Sequence, residues 1–300
     1  MSLPMSSRGA IALHVQLACI WEATARKPGN VHPYCDFADT TYVDFLQSAA
    51  AIAPVLAADL ERPLGGTILE AVRASRHVAK GNTNLGIILL LAPLAKAAAH
   101  GSVRDELPTV LDALDVADAE AVYAAVRLAN PGGLGRVADQ DVAQPPTSSL
   151  RQVMTLAADR DLIARQYANG FRQVFDDGAP AIRQGLQQWG SLEAAIIRAQ
   201  LHLMAEHGDT LIRRKRGEAE AAESSAKARQ ILAAKWPDTA DSWTLFRDFD
   251  AWLRAVGHAR NPGTTADLIT AALFVLLEEG LLRLPLRFAW PEGFERDASR

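Results

Sequence analysis

The chain has 300 residues, 49% of them apolar, enough for one large or two ordinary globular domains with a sizeable core and too apolar for general disorder. Its 31 basic and 35 acidic side chains sum to −4, so no global charge draws nucleic acid or an anionic membrane, and neither is expected as a partner. Two cysteines, Cys19 and Cys35, make no disulfide framework, and without a secretory leader a reducing cytoplasm is the expected compartment.

Alanine and leucine abound while alternating β-branched runs are scarce, so an all-α fold is expected. No unit of about 20–50 residues recurs, which argues against a solenoid. A single helical domain over 8–285 with a polar tail over 286–300 is the expected organisation. The first seven residues read as a loose end. A helix follows from about Ser7, with Ile11, Val15, Ala18 and Glu22 down one side. Glu22 falls at the edge of the core and reads as a salt-bridge partner or a catalytic carboxylate. Pro28 ends that helix at or before Lys27.

The loop Ala25-Arg-Lys-Pro-Gly-Asn-Val-His32 carries Arg26, Lys27 and His32 on a backbone stiffened by proline and made approachable by Gly29. It suits phosphate oxygens, or it is an exposed basic turn. Asp36 and Asp39 follow, and if a metal is held here they are oxygen ligands of the kind magnesium takes. Asp39 or Thr40 is the expected cap of a helix over 41–60. Pro63-Leu-Gly-Gly66 reads as a turn, and a helix is expected over 67–79. There Glu70, Arg73 and His77 share a face that is either solvated or turned into a site.

Residues 85–99 are apolar on every side except at Lys96, so this helix is expected to be buried all round as the central post. Its entrance holds Asn82, Thr83 and Asn84 between two glycines, the composition of an ordinary N-cap and equally of an anion site. Pro93 is expected to bend it or break its hydrogen-bond ladder. Residues 100–108 read as loop, 107–114 and 117–129 as short helices. The stretch 130–146, with Gly132, Gly133 and Gly135, is a lid or a linker. A helix or broken pair over 150–175 and helices over 180–189 and 191–207 come next.

At 207–217 the character changes: Asp209-Thr precedes four consecutive cations, Arg213 to Arg216, closed by Gly217. Such a cluster calls for an anion or carboxylates, unless it is a solvated basic turn. Helices are expected over 218–234 and 242–258. The last signal, Arg260-Asn-Pro-Gly-Thr-Thr-Ala-Asp267, repeats the chemistry of the central post: a Pro-Gly263 turn, two hydroxyls, and an acid in the first turn of a long apolar helix. Asp267 suits the helix dipole there.

Four of these stretches taken together resemble the triphosphoribosyl-dephospho-CoA synthase family. They are Lys27-Pro-Gly-Asn-Val-His-Pro33 with the following acids, Gly81-Asn-Thr-Asn-Leu-Gly86, Asp209-Thr with Arg214 to Gly217, and Asn261-Pro-Gly-Thr-Thr-Ala-Asp267. The resemblance spans roughly residues 10–280. It implies an all-α fold and a reaction in which ATP loses adenine while its triphosphoribosyl group passes to the 2′-hydroxyl of 3′-dephospho-CoA. Where the best-known members have a Thr-His-Lys-Gly turn, this chain has Thr83-Asn-Leu-Gly86. That marks a divergent branch, whose acceptor could belong to another cofactor, such as a one-carbon carrier.

Such a reaction needs negative charge near the ribose, cations and magnesium on the triphosphate, and a base for the incoming hydroxyl. Lys27, Gly29, His32, Asn82, Thr83, Asn84, Arg214, Arg216, Gly217 and Gly263 are the expected nucleotide-binding residues. Glu70, Asp209 and Asp267 are the expected catalytic acids, with Asp36 and Asp209 on the metal. The expected ligands are ATP as donor, Mg2+ and small-molecule nucleotides, and a homodimer is left open. A magnesium-dependent nucleotide hydrolase would use the same groups with water as acceptor, and a non-catalytic helical scaffold would use none of them. Asp209→Asn is expected to stop adenine release without unfolding the chain.

Overall fold

A computed structural model describes residues 7–132 and 139–289. Among them the protein is all-α, with fourteen α-helices and no strand. In chain order these are α1 (Ser7–Thr24), α2 (Tyr42–Ala58), α3 (Leu64–Val78), α4 (Leu85–Ala98), α5 (Val103–Asp112), α6 (Val116–Ala129) and α7 (Leu150–Ala157). They continue with α8 (Leu162–Asn169), α9 (Ala179–Trp189), α10 (Leu192–His207), α11 (Thr210–Arg216), α12 (Glu218–Ala233), α13 (Ala240–Arg254) and α14 (Gly263–Glu278). A π-helical turn, Gln173–Gly178, leads into α9. No single described helix is long and apolar enough to cross a membrane.

The expected central post is there. α4 buries residues on every side, and so does α14, and the two pack together against α1. Both helices carry their apolar side chains all round because neither has a solvent face to supply. Pro93 leaves α4 continuous. The carbonyl it cannot bond, that of Leu89, instead accepts the buried Tyr167 hydroxyl at 2.5 Å, so the gap in the ladder is filled from α8. A second apolar cluster lies under α10, α12 and α13, where Trp236 stacks on Phe246 and meets Trp243 at a tilt.

Several helix boundaries differ from the sequence reading, each for a local reason. α2 is capped by Thr41, not Asp39 or Thr40, because Thr41 and Asp44 bond each other's backbone reciprocally. α3 starts at Leu64, so Gly65 and Gly66 are helical rather than a turn; a Cβ on Gly65 would run into the backbone of Asp118, whose carboxylate accepts the Gly65 amide at 2.7 Å. Residues 103–108 are helix, with Pro108 inside α5. The basic run after Asp209 is α11, not a loop. Residues 1–6, Gly133, Gly135 and most of the 286–300 tail lie outside the described residues.

Candidate active site

The starts of α4 and α14 lie side by side at the base of a cavity of about 1470 Å³, which α6, α7, α8 and α11 wall in. Glu22 of α1 and Asp267 of α14 both face into it. Glu22 is only 4% exposed and makes an ion pair with the Lys27 ammonium at 2.9 Å, and Lys27 itself is 0% exposed. Lys27 also donates to the carbonyls of Glu22 and Ala25, so all three of its protons are committed inside the protein. Removing both charges from water is costly, and a compact ion pair with added hydrogen bonds is what makes it tolerable.

Asp267 has a different environment. Its carboxyl rests against the first turn of α4 at Gly86, where any Cβ would overlap it. Burial pushes its pKa well above the usual carboxylate range, the neighbouring Glu22, Asp209 and Asp161 push it further, and Arg214 only partly opposes them. Two carboxyls therefore share the floor, one matched by a cation and the other inclined to keep its proton.

The polar wall grows from the start of α4 and from α11. The Asn82 side chain accepts the Leu85 amide at 3.1 Å, while no described group accepts from the amides of Gly86 or Ile87. Thr83 is fixed from behind by the Ser48 hydroxyl at 2.7 Å and by Ser75 at 3.4 Å. From α11, Arg213, Arg214 and Lys215 reach the cavity. Arg214 bonds Asp161 at 3.2 Å and keeps a buried Nε without a partner. Asp161 in turn caps α8 through the amides of Ile163 and Ala164, which holds the pair in place. Burial and Arg214 lower the Lys215 pKa. Gly263 opens α14 against Leu211, whose Cδ2 would lie 2.7 Å from an added Cβ. Free helix-start amides beside clustered cations make an anion site.

Residues 8–285 match the family described as ATP:dephospho-CoA triphosphoribosyl transferase. The chain belongs to this family. A crystal structure from Archaeoglobus fulgidus, described as that of a candidate triphosphoribosyl-dephospho-CoA synthase, is 26% identical with a TM-score of 0.60, over 78% of this chain and 99% of that one. No curated protein matches the chain. This family member is an enzyme of the transferase type, with ATP as a consistent substrate.

Of the residues expected to act in this transferase, Asn82, Thr83, Arg214, Gly263 and Asp267 line the cavity. Others do not. Lys27 lies behind Glu22 and is spent on it. Gly29, at φ +75°, packs against Leu253 and Pro262 and gives its amide to Asp250 at 2.7 Å. His32 is off the cavity wall, and burial together with Arg254, Lys27 and Arg26 lowers its pKa to about 3. Asp36 accepts the Tyr42 amide at 2.7 Å at the surface. Glu70 is exposed and pairs with Arg73 on the outer face of α3. Asn84 is buried with neither end of its amide bonded, off the cavity wall. Arg216 is turned outward onto Glu220 at 2.6 Å, and Gly217, at φ +87°, joins the end of α11 to the start of α12.

Asp209 is the largest correction. It is 1% exposed and accepts four hydrogen bonds, from the amides of Leu211, Ile212 and Thr265 and from the Thr265 hydroxyl, at 2.8–3.0 Å. It fastens α11 to the first turn of α14 and has no lone pair left for a substrate or a metal. Asparagine there would turn an N–H₂ toward amide donors, so the substitution would loosen the fold before it reached the chemistry. Glu22 is the reverse case: the expected ion pair is present, and the same carboxylate faces the cavity. Arg213, Lys215 and Asp161 were not singled out as site residues; the four-cation run marked the first two, while Asp161 carried only a four-residue spacing to Arg165.

Proposed function

We propose that the cavity transfers the triphosphoribosyl group of ATP to a hydroxyl of 3′-dephospho-CoA or a close relative, releasing adenine. What carries this reading is the meeting of two unlike carboxyls with the open start of α4 and the cations of α11 in one cavity. The triphosphate lies along the amides of Gly86 and Ile87, with Arg213, Arg214 and Lys215 over it. That sets the ribose above Glu22 and Asp267. As the C1′–N9 bond breaks, positive charge grows at C1′, and the Glu22 carboxylate stabilises it. The acceptor oxygen bonds C1′ and passes its proton to Glu22, while Asp267 gives its proton to the departing adenine. Return of the proton from Glu22 to Asp267 restores the site. An ion-paired carboxylate beside a carboxyl inclined to keep its proton suits such a division of labour.

The residues that the sequence reading gives to magnesium do not fit it. Asp36 is a surface acceptor for Tyr42 and Asp209 is saturated, and the described residues contain no group of three His, Cys, Asp or Glu side chains able to hold an ion. No step above runs through a metal. The test is incubation of the full chain with ATP and Mg2+, with and without 3′-dephospho-CoA, following adenine by chromatography and the product by mass spectrometry. Adenine is expected only with the acceptor, matched by an adduct one triphosphoribosyl group heavier. Adenine without acceptor and without adduct would mean a hydrolase, and no adenine in either arm would end the reading.

A further inference from the structure

The sequence reading gives the Lys27-Pro-Gly-Asn30 turn to phosphate, yet Lys27 and Gly29 are committed elsewhere. Asn30 has a different task. It joins three side-chain amides in a row, from Gln200 of α10 through Asn30 to Asn261, just before α14. Gln200 is fully buried and lies off the cavity wall, whereas Asn30 and Asn261 line it.

An amide can in principle be turned over, but this row has one favoured polarity. The Pro28 carbonyl can only accept, and Gln200 Nε2 lies 3.1 Å from it and 2.8 Å from Asn30 Oδ1. Both Nε2 protons are thereby used, and Gln200 Oε1, which has no partner, offers nothing in return for the reverse orientation. Asn30 therefore accepts from Gln200 and gives its Nδ2 to Asn261 Oδ1 at 2.6 Å. Asn261 is left with its own Nδ2 free, on the cavity wall, and no described group accepts from it. Lys215 Nζ donates to the His258 carbonyl at 3.4 Å and Leu211 packs against Gly263, so the turn over 258–263 sets this donor beside α11 and its cations. A ligand group that only accepts hydrogen bonds and is also drawn by cations is a phosphate oxygen. We propose that Gln200 is a positioning residue: acting through Asn30, it fixes Asn261 as a hydrogen-bond donor to the triphosphate of the bound nucleotide. The inference rests on the transferase reading of the cavity and deepens it, because it carries control of the nucleotide grip to α10, outside the cavity.

Asn30→Asp reverses the row without breaking it. Its two carboxylate oxygens accept from Gln200 Nε2 and from Asn261 Nδ2, so Asn261 has to turn its Oδ1 to the cavity. In calorimetry on the full chain without acceptor, the ATP dissociation constant should rise at least about tenfold, the size of a lost hydrogen bond to a charged group. Asn261→Ala should cost as much, and the two changes together no more than either alone. An added charge or a damaged fold would weaken ATP whether or not Asn261 is present, so an Asn30→Asp penalty that persists in Asn261→Ala overturns the proposal. Gln200→Leu removes the pin and lets both amides turn over, which should weaken ATP about twofold, again only where Asn261 is present. An unchanged ATP affinity in Gln200→Leu would overturn the role of Gln200. The unaltered protein gives a measurement that needs no variant to bind: saturating ATP should shift the side-chain amide NMR signals of Asn261, assigned by their loss in Asn261→Ala, and unmoved signals would end the proposal. Turnover separates the two levels, since a chain that binds ATP in this pattern and releases no adenine with any acceptor loses the transferase reading and keeps the relay.

Discussion

Two helix starts in this protein look alike in sequence and do opposite things. Gly81-Asn-Thr-Asn-Leu-Gly86 opens α4, and Gly208-Asp-Thr210 opens α11; both set glycine beside short polar side chains. At α11 the Asp209 carboxylate fills the helix start and also takes the Thr265 amide of α14, so the start is closed from within. At α4 the N-cap side chain makes no capping bond, the Gly86 and Ile87 amides stay open, and a carboxyl from another helix stands beside them. A satisfied start is a joint, and an unsatisfied start beside cations and a cavity is a site.

The sharpest way to break that contrast is to exchange the two acids' fates. Asp267→Asn removes the proposed proton donor while keeping its shape, and adenine release should fall by about 10²–10⁴-fold with thermal stability intact. Its pH dependence gives a second handle. Because the Asp267 pKa is raised, the unaltered enzyme should lose activity as pH climbs through that raised value, and Asp267→Asn should lack this alkaline fall. A folded Asp267→Asn enzyme with full kcat would mean that the α4 start is no more a site than the α11 start.

Gly86→Ala comes next. Its methyl would displace the Asp267 carboxyl from the first turn of α4, and a shift of about 1 Å in a reacting group costs roughly 10²-fold in rate. The protein should remain folded, because Asp267 can rotate toward the cavity. Asp209→Ala should show the opposite pattern. It removes a cap and strands the buried Thr265 amide, for a loss of about 2–4 kcal/mol in urea unfolding, while the folded fraction keeps its kcat. Unchanged stability with lost turnover in Asp209→Ala would reverse the assignment.

Fold class and most helices were legible because alanine- and leucine-rich segments at helical spacing leave few alternatives. The misread boundary at Gly65 has a tertiary cause: propensity argues for a break, and close packing against Asp118 outweighs it. The site was legible as a set of loops and not as a set of atoms. Of the motifs at 81–86, 214–217 and 261–267 only parts line one cavity, Arg216 and Gly217 not among them, and local sequence cannot say that Asp209 is consumed by Thr265, fifty-six residues away, or that Lys27 turns its ammonium back onto Glu22. Partners remote in the chain decide which polar group is free, and helical periodicity carries no record of them.

His32 sharpens the contrast most gently, as a residue of the nucleotide-binding loop that belongs to the scaffold. Its backbone bridges Cys35, with N–H···O distances of 3.1 and 2.9 Å, and its Nδ1 accepts the Tyr34 amide at 3.3 Å, a role open only to a neutral ring. Burial, then Arg254, Lys27 and Arg26, hold its pKa near 3 against 6.5 for an ordinary histidine. As pH falls below about 6.5, the unfolded chain takes up a proton that the folded chain refuses, so stability drops until the folded value near 3 is reached. The raised pKa values of Asp209 and Asp267 act in the other sense, since there the folded state holds the extra proton and loses stability as pH rises through them. His32→Gln should therefore make the urea midpoint fall less, or rise more, between pH 7 and pH 5 than it does in the unaltered protein, while leaving the KM for ATP unchanged. A steeper KM for ATP in the variant, with the same pH slope, would return His32 to the phosphate side of the cavity.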